Sequence, residues 1–181
     1  MKIILALFVM LGAGATAFFL TQDQQVEIRL SEDQILQAVG KKLPFKKTYL
    51  IIFNVKLDNP RITLLEGSDR VQAGLDATVK VKLGDERPFR GSADISGNVR
   101  YVPEQGEFFL MDPEIETLSI EGVPDSYADK IDAIMTTALA AFFDARPIYT
   151  LKESDTKQAA AKLALKDVAV ENGELVLTLS L

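Results

Sequence analysis

The chain has 181 residues, of which 48% are hydrophobic, and its 20 basic and 26 acidic side chains give a formal net charge of −6. This length suits one domain with its own core, and the acidic balance argues against a general nucleic-acid role, which depends on clustered basic charge. Because histidine and cysteine are both absent, Ser-His-Asp triads, cysteine nucleophiles, thiolate or imidazole metal sites and disulfides are excluded. Any catalysis would have to use carboxylates, lysine or tyrosine, so we expect a non-enzymatic protein without cofactor or metal.

The first segment, residues 1–20, starts with Lys2 and continues as an apolar run over residues 3–20. A short basic start, a hydrophobic stretch and the small residues Ala15-Thr16-Ala17 are typical of an export signal with a cleavage site. As a helix the same run measures about 27 Å, which is enough to span the hydrocarbon layer of a bilayer. We therefore predict a periplasmic protein, either soluble after cleavage or tethered to the inner membrane by residues 3–20, with residues 21–181 forming a single domain.

A short helix is predicted after Ser31, since Gln34 follows three residues later as in a capping box. A small basic cluster comes next, composed of Lys41, Lys42, Lys46 and Lys47. Such a cluster is ordinarily a solvated loop, although beside a membrane anchor its lysines could contact anionic lipid head groups.

Alternating strands are predicted from Thr48 onward. Residues 49–53 are apolar at both parities, which predicts burial on both faces at the start of the first strand. Asn59-Pro60 then interrupts the alternation and predicts a bulge or bend, because proline cannot donate to a central ladder.

The clearest alternation runs through residues 71–83 and 89–101, and a further strand is predicted from Phe108 to Gly122 with a break near Asp112-Pro113. Thirteen alternating residues span about 43 Å, more than twice the length of an ordinary strand. Long antiparallel ribbons of this kind coil strongly, and each needs a cover for its apolar face.

A long helix is predicted over residues 125–143, with Pro147 beyond its end. Its apolar stripe recurs at steps of three and four residues and comprises Ile131, Ile134, Met135, Ala138, Leu139 and Phe142. Ser154 predicts the start of a second, shorter helix whose core side includes Leu163, Ala164 and Leu165. Asn172-Gly173 predicts a closing hairpin.

Together these elements predict an α+β fold, in which a long coiled antiparallel β-sheet (a meander) wraps around one long amphipathic helix, with short additional helices and a C-terminal hairpin. The apolar faces of sheet and helix could hold a long apolar ligand between them, or they could close into a filled core. The sequence leaves both possibilities open. The residues predicted to line such a slot are Leu75, Val79, Val81, Ile95, Val99, Phe109, Met111, Ile131, Met135, Leu139 and Phe142.

Two acidic pairs, Glu114/Glu116 and Asp129/Asp132, are the nearest approach to an acid–base site in the sequence. Carboxylates two apart on a strand, or three apart on a helix, share a face. Nothing else in the sequence supports catalysis by them, and solvated surface groups are the favoured interpretation.

The run from Ala140 to Leu151, Ala-Ala-Phe-Phe-Asp-Ala-Arg-Pro-Ile-Tyr-Thr-Leu, resembles the helix end and Pro-x-Tyr-x-Leu stretch of the YceB-like bacterial envelope lipoproteins, as does the closing run from Val168 to Leu177. That family is functionally uncharacterised, and its fold resembles the tubular lipid-binding (TULIP) superfamily. The resemblance implies an envelope protein that binds a lipid or other apolar small molecule without catalysis. It implies no catalytic residues, and this chain lacks the cysteine at which typical members are lipidated. The alternative is an envelope structural or interaction protein with a filled core and no ligand.

Overall fold

A computed structural model describes residues 26–82, 88–151 and 163–180. Within these ranges the chain forms two helices, α1 (Glu32–Gly40) and α2 (Asp125–Asp144). The strands are β1 (Val26–Ser31), β2 (Phe45–Tyr49), β3 (Phe53–Thr63), β4 (Val71–Val81), β5 (Phe89–Val102), β6 (Glu107–Glu121), β7 (Tyr149–Thr150), β8 (Ala164–Glu171) and β9 (Glu174–Ser180).

The strands form two antiparallel sheets. The larger sheet has the order β2-β3-β4-β5-β6-β7, so that β2 to β6 lie side by side in chain order. The smaller sheet has the order β1-β9-β8, which joins the first described strand to the closing hairpin. One hydrophobic cluster includes buried side chains from both sheets and both helices.

The predicted fold class, an α+β protein whose sheet wraps around one long amphipathic helix, is wrong. Strands make up 57% of the described residues and helices 21%, so the protein is mainly β. The physical reason is that β1 and β8, from opposite ends of the described chain, both pair with β9 and build a second sheet, where the sequence predicted further helix and an isolated hairpin. The helix predicted over residues 125–143 is present as α2, and it packs chiefly along β6.

Local signals placed several elements correctly. The Ser31 hydroxyl accepts a hydrogen bond from the Gln34 backbone N–H (3.3 Å), and the Gln34 side chain accepts one from the Ser31 N–H (2.9 Å), which confirms the capping box of α1. The register of β3 against β4 shifts between Asp58 and Arg61, which confirms the predicted bulge. Asn172 and Gly173 both have positive φ in the turn between β8 and β9, which confirms the closing hairpin.

Two other predictions need correction. Ala164 and Leu165, which the sequence placed on the core side of a second helix, begin β8, where Leu165 pairs with Leu179. Residues 49–53, predicted to be buried on both faces, contain the turn between β2 and β3, and Leu50 and Ile51 are exposed. A short apolar run fits a strand or an exposed turn equally well by pattern, and only the pairing of Tyr49 with Phe53 decides for the turn.

Among the described residues, no helix combines the length and the apolar character needed to cross a membrane. The predicted anchor or signal, residues 1–20, and the helix predicted to start at Ser154 lie outside the described ranges.

Candidate ligand-binding site

Most of the residues predicted to line a slot lie together in the hydrophobic core. Val99 is half-buried and packs against that core. Aromatic rings fill the core at the end of α2. The Phe142 ring centroid is 5.6 Å from that of Phe45 and 4.9 Å from that of Phe143. Protein side chains therefore occupy this part of the interior. The members in the core are Leu75, Val79, Val81, Ile95, Ile131, Met135, Leu139 and Phe142.

Phe109 and Met111 lie apart from the other slot residues. Phe109 pairs with Arg100 across the β5–β6 ladder, whereas Phe108 pairs with Tyr101. The Arg100 guanidinium lies 4.9 Å from the Phe109 ring centroid, and its Nε donates to the Met111 Sδ at 3.1 Å. Because successive strand residues point to opposite faces, Phe109 and Met111 face away from the side on which Phe108 is buried.

A row of half-buried apolar side chains lies where the second half of β6 meets the start of α2. In the β5–β6 ladder, Ile115, Leu118 and Ile120 stand opposite Ile95, Ala93 and Gly91 respectively. Facing pairs share one side of a sheet, so the three β6 side chains extend the apolar face of β5 toward the sheet edge. We name this row the β6 seam; its members are Phe89, Ile115, Leu118, Ile120, Val123 and Tyr127.

The β6 seam runs along a strand edge that is mostly unpaired in the described chain. There β7 pairs only with Glu107 and Phe108, so the remaining residues of β6 form the edge of the larger sheet. Tyr127, in the first turn of α2, closes one end of the seam and contacts the Phe53 ring edge-on at a centroid distance of 6.2 Å. A row of apolar side chains that the core covers only in part is a candidate surface for an apolar partner.

The acidic pairs are surface groups: Asp129 and Asp132 are exposed on α2, and Glu114 and Glu116 have structural partners. Glu114 forms an ion pair with Arg70 at 3.3 Å, and Glu116 accepts a hydrogen bond from the Ser96 hydroxyl at 2.6 Å. The Arg70 Nε in turn donates to the same hydroxyl at 3.1 Å. Both carboxylates thus belong to one hydrogen-bond and ion-pair network, and their spacing is explained without an acid–base catalytic role. The described residues contain no group of three or more acidic side chains that could hold a metal ion.

The segment after α2 fastens that helix to its surroundings. The Arg146 guanidinium lies over the rings of Phe45 (4.7 Å) and Phe142 (5.2 Å). The Lys42 ammonium donates to the Pro147 carbonyl. Burial lowers the pKa of Lys42; Glu107 acts in the opposite direction, and Arg146 reinforces the lowering. These contacts give the segment a packing role.

Sequence reasoning missed the β6 seam as a candidate site. The alternation of Ile115, Leu118 and Ile120 was visible, but their relation to β5 depends on two register shifts between Asp94 and Asn98. A pattern signal was available in the apolar side chains that continue past Asp112-Pro113, where a strand with no covering partner would have turned polar.

Comparison with known proteins gives a family and two distant structures. A family model described as "Protein of unknown function (DUF1439)" matches residues 30–174. A comparison with curated proteins finds no match. Among solved structures, P47 of Clostridium botulinum E1 is similar at a TM-score of 0.48 and 13% identity, over 89% of this chain and 50% of that one. A lipopolysaccharide binding protein is similar at a TM-score of 0.25 and 12% identity, over 88% of this chain and 50% of that one. The chain thus spans about half the length of these solved structures.

Proposed function

Since the chain belongs to the DUF1439 family, whose function is unknown, we propose its function from the geometry: it binds a lipid, with an acyl chain lying along the β6 seam, and performs no chemical reaction. The observation that carries this proposal is the row of half-buried apolar side chains along the edge of β6. A ligand in this position would cover surface that the protein leaves in contact with water.

The dimensions of the seam suit an acyl chain. Residues 115–121 of an extended strand span about 20 Å. Each methylene removed from water contributes about 0.8 kcal/mol, so eight buried methylenes would contribute about 6 kcal/mol before the cost of association. Leu118 stands near the middle of this span, where one substitution would interrupt the longest continuous contact.

We further propose that the protein acts in the bacterial envelope. The basic and apolar pattern of residues 1–20 supports export, as a soluble periplasmic form or as a form tethered to the inner membrane through residues 3–20. The finer resemblance, to the YceB-like envelope lipoproteins and the tubular lipid-binding proteins, supports the same location and ligand class.

The second candidate is a structural or interaction protein of the envelope with no ligand. The ring packing of Phe142 against Phe45 and Phe143 favours it, because this part of the interior is already occupied by the protein itself. In that case the β6 seam would be covered by another protein chain rather than by a lipid.

Native mass spectrometry with lipid extraction, on protein purified from a bacterial envelope, separates these candidates. We expect bound lipid at near-unit stoichiometry in the wild type and its loss in Leu118→Gln, while Leu118→Met retains it. Ser119→Gln is the matched control, because Ser119 lies next on the same strand and is exposed on the opposite face. Circular dichroism of each variant checks that it is folded. A ligand-free mass that stays unchanged after incubation with lipid vesicles would favour the second candidate. Equal lipid occupancy in the two glutamine variants would instead contradict the β6 seam as the binding site.

A further inference from the structure

The turn between β2 and β3 exposes two large apolar side chains at the end of the larger sheet. We name residues 49–53 the β2–β3 tip. At its apex Leu50 is 70% exposed and Ile51 is 83% exposed, while Leu65, at the far end of β3, is 48% exposed. Adjacent leucine and isoleucine side chains at the apex of a hairpin contribute little to the core, so their presence calls for another explanation.

The backbone of the β2–β3 tip makes this choice of residues more unusual. Leu50 has φ +46° and Ile51 has φ +69°, which places both in the left-handed region. Hairpin turns with positive φ ordinarily use asparagine, aspartate or glycine, and a β-branched residue there is a true outlier. The turn therefore has a strained backbone, and its apolar side chains are exposed to solvent.

Lysines surround the base of the same tip. On β2, β3 and β4 lies a groove of about 430 Å³, and half of the residues that line it are lysines: Lys46, Lys47, Lys56 and Lys80, with Thr48, Asn54, Val55 and Thr78. Lys46 pairs directly with Lys56 across the β2–β3 ladder. Like charges in directly opposite positions are destabilising. Asp58, at 2.6 Å, is the acidic partner of Lys56.

This arrangement fits an anionic surface. The lysines are concentrated here although the chain as a whole carries a net charge of −6, so the tip is complementary to anions in a way that the average surface is not. Lys82 adds a further exposed side chain, and its backbone N–H donates to the Ile52 carbonyl at 2.9 Å within the tip.

We propose that the β2–β3 tip docks the protein on an anionic phospholipid membrane. Leu50 and Ile51 enter the boundary of the acyl region while the surrounding lysines contact the lipid phosphates. Lys80, opposite Asn54, lies about 10 Å from Ile51 along the strand, and Lys46 lies about 14 Å from Leu50. The head-group layer is roughly 5–8 Å thick, so the backbone at these lysines stays outside it when the apex reaches the acyl boundary. Their long, flexible side chains then reach the phosphates at its outer surface.

The β2–β3 tip and one end of the β6 seam lie at the same end of the larger sheet, so docking at the tip would orient the seam relative to the membrane. Phe53, at the base of the tip, contacts Tyr127 at the end of the seam. Phe89, another seam residue, pairs with Val79, close to the same end of the sheet. A membrane bound at the tip would thus lie beside the start of the seam. The docking itself does not depend on the seam holding a lipid.

A single introduced tryptophan tests the docking, because the sequence contains none. Leu50→Trp in the full chain is mixed with vesicles of phosphatidylglycerol and phosphatidylcholine in equal amounts, with and without brominated acyl chains. We expect a blue shift of its emission and quenching by the brominated lipid. Leu65→Trp is the matched control, an exposed leucine at the other end of β3, and should show neither effect. The reporter responds only to its own position, so membrane contact through residues 3–20 does not imitate the result.

Charge variants test the lysines separately. Each lysine near an anionic membrane surface contributes about a fivefold gain in partitioning onto the vesicles. Lys46→Gln with Lys80→Gln should therefore lower the vesicle partition coefficient measured with the Leu50→Trp reporter about 25-fold. Arg100→Gln with Lys166→Gln removes the same charge from exposed positions elsewhere and should leave the response unchanged. Equal responses from Leu50→Trp and Leu65→Trp, or no quenching of either, would overturn the proposal. Such results would assign the tip to a protein partner or to none.

Discussion

Replacing Ile51 with glycine should stabilise the fold and at the same time weaken membrane docking. Ile51 has φ +69° and is 83% exposed. A Cβ atom in the left-handed region crowds its own backbone, and branching at that atom makes the crowding worse. Glycine has no Cβ and adopts this conformation freely. The substitution therefore removes strain without emptying any part of the core.

The expected gain follows from three contributions. Relief of the left-handed strain contributes about 2 kcal/mol, near the middle of the range for sparsely populated backbone conformations. Against it stand roughly 0.5–1 kcal/mol for the greater chain entropy of unfolded glycine. Because most of the side chain is exposed, lost burial costs at most about 0.5 kcal/mol. The net is a stabilisation of about 0.5–1.5 kcal/mol, which corresponds to a rise in Tm of roughly 1–6 °C for a chain of this size.

Urea unfolding followed by circular dichroism measures this gain, and Leu65→Gly is its control. Leu65 is an exposed leucine whose φ is not positive, so glycine there should destabilise the protein by roughly 1 kcal/mol. If Ile51→Gly destabilises as much as Leu65→Gly, the turn is not strained and the reasoning fails. The same Ile51→Gly protein should bind anionic vesicles more weakly than the wild type, and unchanged binding would contradict the insertion of Ile51 into the membrane.

Three further substitutions, the first with a matched control at Gly40, test the packing and the surface charges. Gly91→Ala should destabilise the protein by about 3 kcal/mol, because the new Cβ would lie 1.7 Å from a backbone carbonyl oxygen of β6, whereas Gly40→Ala, with its nearest contact at 3.8 Å, should be neutral or stabilising by up to about 1 kcal/mol. Phe142→Ala should cost about 3–5 kcal/mol through the cavity it leaves in the core. A hydrogen bond from the Asn59 side chain is the main cause that lowers the pKa of Asp76 below its ordinary value of 3.8. Asp76→Asn should therefore cost less than about 1 kcal/mol at pH 7, since the pair is exposed and screened, and the difference from wild type should fade as the pH drops through the lower pKa of the folded state.

Urea unfolding at fixed pH measures the first two substitutions, and a series from pH 7 to pH 2 measures the third. Equal stabilities of Gly91→Ala and Gly40→Ala would contradict the close approach of β5 to β6. A mild loss in Phe142→Ala would mean that the core around α2 relaxes into the vacated space. A cost of Asp76→Asn that persists at pH 2 would show that the lost acceptor oxygen, which the amide NH2 group replaces, matters more than the charge.

Sequence by itself determined the elements whose causes lie within a few residues of one another. The capping box of Ser31 and Gln34, the stripe on α2, the bulge at Asn59-Pro60 and the hairpin at Asn172-Gly173 are all present as predicted. Each depends on a hydrogen bond, a backbone preference or a side-chain period that operates inside one turn or one strand. Local chemistry of this kind is the same in the isolated segment and in the fold.

Only the tertiary structure decided which strands pair and which faces are covered. Residues 108–111 are apolar at both parities, so alternation alone could not show which two of them face the core. The pairing of Phe109 with Arg100 places Phe108 and Leu110 on the core side. A shift of one residue in register turns every side chain to the other face, and two such shifts in β5–β6 set the position of the β6 seam. The pairing of β1 with β9, from opposite ends of the described chain, created the second sheet and made the protein mainly β. Contacts across such long sequence separations leave no periodic signal in either partner, which is why the seam and the exposed tip became visible only in the folded chain.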